Sequence, residues 1–124
     1  MVDVKRYTKV VCTEDGGSAF EDADIQLAEQ QVADGVPPMF VGGLSSSARV
    51  VFLRSAEFDS DPHPAPRRQW VVMLRGAIEV EVSDGTRRRF EPGDLVLVTD
   101  TTGRGHVTLA VGDPPLEGLF VAEA

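Results

Sequence analysis

Residues 76–98 constrain the fold most, because short apolar runs alternate there with turns too closely spaced for helices. Ile78, Val80 and Val82 alternate with Glu79 and Glu81, the period of a strand with one buried face and one wet face. Ser83-Asp84-Gly85 has the composition of a hairpin turn, and the chain returns through residues 86–90. A three-residue loop sets Glu81 opposite Arg87 and Glu79 opposite Arg89, which pairs opposite charges across the hairpin. Glu91-Pro92-Gly93-Asp94 marks the next turn, before the wholly apolar Leu95-Val96-Leu97-Val98.

The same rhythm extends in both directions. Residues 7–13, 48–54, 70–75, 107–111 and 119–121 are apolar or β-branched runs of strand length. Gly76 reads as a bulge or a point of close backbone approach. The expected inward set is Val51, Leu53, Val72, Leu74, Leu95, Leu97 and Val107. Residues 24–32 carry a weak helical spacing through Ile25, Leu27, Ala28 and Val32, which predicts a short helix. Two prolines and a glycine pair predict irregular chain over residues 36–43. Strands every eight to twelve residues describe an all-β sandwich or small barrel. The expectation is one domain over residues 1–124, with an N-terminal arm at 1–47 and a β core at 48–124.

Twenty acidic residues against twelve basic ones give a net charge of −8, which argues against nucleic-acid and anionic-membrane partners. Seven of the twelve basic residues are arginines between Arg67 and Arg104. The single cysteine, Cys12, excludes an internal disulfide. With no leader-like or long apolar segment, this predicts a cytoplasmic protein. The strand at residues 7–13 has no evident hairpin partner nearby, and an unpaired apolar strand is an edge liability. Pairing with a second copy would remove it, so a homodimer is expected.

The two histidines of the chain fall at the open ends of strands. His63 lies in Pro62-His63-Pro64-Ala65-Pro66-Arg67-Arg68-Gln69-Trp70, and His106 ends the loop Thr99-Asp100-Thr101-Thr102-Gly103-Arg104-Gly105. Imidazole exchanges protons near neutrality, so His63 and His106 are the candidate catalytic residues. Arg68, Gln69, Arg104 and Trp70 are candidates for substrate binding, the arginines because guanidinium grips oxyanions bidentately. Arg68 or Arg88, turned inward, would clamp a carboxylate or phosphate. Each also has a plainer reading: solvated charge for Arg67, Arg68 and Arg104, an ordinary strand residue for Gln69, and core for Trp70 and Met73. Gly103-Arg104-Gly105 is not a phosphate loop, since no helix follows it.

These two segments carry a family resemblance. Phe90-Glu91-Pro92-Gly93-Asp94, an apolar strand, a glycine-containing loop and His106 together resemble the second motif of the cupins. His63 through Gly76 resembles their first motif, with Ala65 at the second histidine and Gln69 at the glutamate. The resemblance spans residues 49–111. It implies a jelly-roll β-barrel, a site between the two motifs and, frequently, a homodimer. Metal-binding cupins present three histidines and a glutamate. Here His63, Gln69 and His106 hold the ligand positions, which implies no metal or one weakly bound divalent metal such as zinc, nickel or iron. Asp61 and Asp100 are the nearest carboxylates able to supply a missing charge. In such a barrel, His63 or His106 as proton shuttle, with Gln69 and an arginine orienting the substrate, suits an enzyme acting on a small molecule by isomerase, cyclase or lyase chemistry. The alternatives are a noncatalytic small-molecule sensor or carrier, and a metal-dependent dioxygenase with a depleted ligand set.

Overall fold

The computed structural model describes residues 3–56 and 60–124, and no helix occurs among them. None is therefore present that is long and apolar enough to cross a membrane. Eleven strands follow in chain order: β1 (Val4–Cys12), β2 (Ser18–Gln26), β3 (Ala28–Gln30), β4 (Met39–Val41), β5 (Ser47–Ser55), β6 (Gln69–Arg75), β7 (Ala77–Glu81), β8 (Arg87–Phe90), β9 (Leu95–Val98), β10 (Val107–Val111) and β11 (Leu116–Glu123). They form a six-stranded sheet in the order β2-β1-β9-β6-β11-β5, a three-stranded sheet β10-β7-β8, and the small ribbon β3-β4. The sheets do not close into a barrel among the described residues.

The expected helix at residues 24–32 is a correction. Residues 18–26 pair with β1 along its whole length, and residues 28–30 pair with Met39–Val41 in the stretch expected to be irregular. Ile25 spaces helically from Ala28 and Val32, but it also alternates with Ala23 and with acids. Pairing against β1 supplies the main-chain hydrogen bonds a two-turn helix would have needed. This also removes the argument for an unpaired N-terminal strand. β1 lies inside the sheet, antiparallel to β2 and parallel to β9.

Burial on both faces of the larger sheet reassigns the inward set. Val10, Met73, Val96, Val98 and Leu116 from this sheet share one core with Ile78, Val80 and Phe90 of the smaller sheet. Val51 aligns with Phe120, Val71 and Val96 across β5, β11, β6 and β9, so this row faces inward. The neighbouring row, Val50, Val121, Trp70 and Leu97, faces outward. Trp70 and Leu97 are nevertheless buried, because Ile25 and Leu27 cover them. Burying a side chain of this size contributes roughly 1.5–3 kcal/mol. Val72, Leu74, Leu95 and Leu97 therefore face away from the main core, whereas Val51 and Leu53 face it.

The hairpin register is as the loop length requires, with Glu79 opposite Arg89 and Glu81 opposite Arg87. The charges pair differently, since Arg87 reaches both Glu79 and Glu81 while Arg89 turns to Glu91. Gly76 joins β6 to β7 and carries the chain from one sheet to the other with φ of 78°. A Cβ there would collide with the Leu116 side chain, so both conformation and space require glycine.

Candidate functional site

A cavity of about 420 Å³ lies between the two sheets. Its walls are mainly apolar, with Val71, Val96, Val98 and Phe120 from the larger sheet and Ile78 and Val80 from the smaller. Its polar side is built from His63, Gln69, His106, Thr108, Ser55 and Ser60.

The loop at residues 99–106 leaves β9 of one sheet and enters β10 of the other, and the 63–65 segment is tied to it. The His63 amide donates to the His106 carbonyl (3.1 Å), and the His106 amide donates to the His63 carbonyl (3.0 Å). One step on, the Ala65 amide donates to the Asp100 carbonyl (2.9 Å). Gly105 makes this approach possible. Its φ is 71°, and a Cβ would run into the His63 carbonyl.

Asp100 and His106 form the polar centre of the site. Asp100 is wholly buried and His106 is 6% exposed, with Asp100 Oδ2 2.6 Å from His106 Nδ1. A carboxylate oxygen accepts here, so Nδ1 carries the hydrogen and Nε2 of the neutral ring is left with the lone pair. Asp100 Oδ1 has no hydrogen-bond partner among the described residues. Leaving such an atom unpaired costs about 1–3 kcal/mol, which stability alone gives no reason to retain. His63 shows the same polarity in an exposed position. Its Nδ1 lies 2.9 Å from the Asp61 carbonyl, which again leaves Nε2 as the acceptor. The two rings are 5.3 Å apart, centroid to centroid.

Of the residues expected at a site, His63, Gln69 and His106 are brought to one cavity. Gln69 is buried on the inner face of β6, and its amide makes no hydrogen bond among the described residues. The other three are placed elsewhere. Arg68 pairs with Glu123 (2.7 Å), and Arg104 approaches Asp15 and lines a separate hollow that it shares with His106. Trp70 stands on the outer face and donates to the Ser45 hydroxyl (2.9 Å). Arg88 is held by Asp22 (2.7 Å) above the Phe20 ring. Sequence reasoning noticed Asp100 only as a spare negative charge. Its partnership with His106 depends on a loop closure that no short-range pattern records.

A metal would find a short donor set. No group of three His, Cys, Asp or Glu side chains gathers among the described residues. Asp100 is spent on His106 Nδ1, Ala65 contributes only a methyl to the cavity wall, and Gln69 is neutral. The two imidazoles and one amide that the described residues offer are a weaker set than the three histidines, or histidines with a carboxylate, of resident zinc sites. Compared with known proteins, the chain matches no protein-family model and no curated protein sequence.

Proposed function

We propose that this chain is a cupin-type enzyme that moves a proton on a small molecule held between its two sheets. The observation that carries the reading is the 2.6 Å hydrogen bond between His106 Nδ1 and the buried Asp100 carboxylate at the cavity wall. His106 Nε2 takes a proton from a carbon or hydroxyl next to a carbonyl, and Asp100 stabilises the imidazolium that forms. The proton returns from His106 Nε2 to a different atom, which restores the neutral ring, and His63 Nε2, one ring away, accepts a hydrogen bond from a substrate hydroxyl. Isomerisation or elimination needs no more than that exchange. Gln69 offers an amide to orient the carbonyl, and the apolar walls exclude water.

Support for the jelly roll comes from two sheets sharing one core and from the meeting of both cupin-like segments at the His63–His106 pair. A homodimer is also proposed, now on different grounds. β5 is an edge strand whose outer side chains Val50 and Phe52 are more than half exposed, and an apolar edge of this kind is self-complementary about a twofold axis.

The test has two readouts. Imidazole nitrogen NMR should find His106 as the Nδ1–H tautomer, and Asp100→Asn should mix the tautomers. A panel of small carbonyl compounds in heavy water should exchange deuterium in the presence of wild type. His106→Asn should cut that rate by about 10²–10⁴. Exchange undiminished in His106→Asn would overturn the assignment. Saturable binding without any exchange would make the protein a carrier or sensor.

A further inference from the structure

We infer that the ligand of the central cavity is an amphipathic carboxylate whose anionic end is held by Arg49 and Arg67. The inference rests on the cavity being the ligand site, as proposed above, and adds the substrate class.

A second hollow of about 230 Å³ opens beside the first, and the two share Pro66, Gln69 and Phe120. Arg49 and Arg67 line this side hollow, and no carboxylate among the described residues does. The sheet register explains the placement of Arg49. It stands across from Ala122, which stands across from Gln69, so all three belong to one inward-facing row.

The charge pattern gives the pair its meaning. Seven arginines, namely Arg6, Arg54, Arg68, Arg87, Arg88, Arg89 and Arg104, each have an acidic partner. Arg49, Arg67 and Arg75 have none among the described residues, although the chain carries twenty acids, and of these three only Arg49 and Arg67 line the side hollow. Two unpaired guanidiniums lining one hollow repel each other unless an oxyanion joins them, and their fork geometry suits a carboxylate. Among the described residues, the main cavity next door carries no arginine, lysine, aspartate or glutamate in its lining. It suits an uncharged, apolar body with one carbonyl or hydroxyl near His106. A molecule occupying both hollows is therefore apolar in the middle and anionic at one end.

The test compares 3-phenylpropanoate with its neutral amide by calorimetry. Wild type should bind the carboxylate about tenfold or more tightly than the amide, the order expected of a charge-assisted pair at a partly exposed site. Arg49→Gln with Arg67→Gln should abolish that preference and leave amide binding in place. Raising salt should weaken carboxylate binding to wild type and spare the amide, a check that needs no folded variant. Equal affinity for both probes, no saturable carboxylate binding at millimolar concentration, or a preference that survives the double substitution would each overturn the inference. His106→Asn should keep the preference while losing proton exchange. Exchange that survives in that variant would remove the acid–base reading and leave the carboxylate site standing.

Discussion

Gly105 lies so close to the His63 carbonyl that no side chain fits between them. The contact joins the two histidine-bearing segments at their main chains, and the φ of 71° at Gly105 is one that only glycine adopts at little cost. Gly105→Ala should destabilise the fold by at least about 1 kcal/mol from backbone strain, with the collision adding to it. Urea unfolding measures the loss. The same variant should move the imidazole NMR signals of both His63 and His106, whereas Gly85→Ala, in open space on the β7–β8 hairpin, should move neither.

The donor shortage can be repaired by substitution. Ala65→His with Gln69→Glu restores an imidazole and a carboxylate at positions that line the cavity. That variant should bind zinc or nickel more tightly than wild type in competition with a chromophoric chelator. Adding Asp100→Asn should then lower the affinity by about 10–100-fold, because the carboxylate behind His106 orients the ligand and raises its basicity. Wild type that binds as tightly as the repaired variant would show that a ligand outside both segments completes the shell.

Acid should reveal the ion pair between Asp22 and Arg88. The hydrogen bond and charge of Arg88, with a smaller contribution from Arg6, lower the Asp22 pKa below the usual carboxylate value. A carboxyl with a lowered folded-state pKa stabilises the fold above its unfolded value of about 3.9, and that contribution fades as pH falls through the lower folded value. Wild type should therefore melt slightly above Asp22→Asn at neutral pH, and the two melting curves should converge in strong acid. A difference that persists unchanged into strong acid would mean that the asparagine acts through packing. The pair is half exposed, so high salt should also shrink the gap.

The outer face of β5 and β6 gives a test of assembly. Val50, Phe52 and Leu74 are 59%, 53% and 49% exposed there. Light scattering should give a dimer mass at micromolar concentration, and Phe52→Glu should shift it toward the monomer. A wild-type monomer at that concentration would count against the homodimer.

What was legible in the sequence follows from how much each strand's own pattern decides. Glu79 and Glu81 alternate with Ile78 and Val80, so both the faces of β7 and its register with β8 could be read directly. In β9 every position is apolar, as is every position of β6 between Gln69 and Arg75, and alternation cannot say which side meets the smaller sheet. The answer lay in residues 18–30, where acids lower strand propensity and mask the strand that brings Ile25 and Leu27 over Trp70 and Leu97. His63, Gln69 and His106 were legible because their residue types are rare or their spacing is patterned. Asp100 and Arg49 were not, since each reaches its site only through a tertiary event: a loop closure for Asp100 and a three-strand register for Arg49. The chemistry of an arginine clamp was expected, but on Arg68 or Arg88 rather than on Arg49 and Arg67.

The loop carrying Asp100 and His106 begins in one sheet and ends in the other, so the dyad straddles the seam of the sandwich. On the proposed reading, a ligand that spread the two sheets would lengthen the hydrogen bond behind the proposed base, so the width of the cavity would select which molecules exchange a proton.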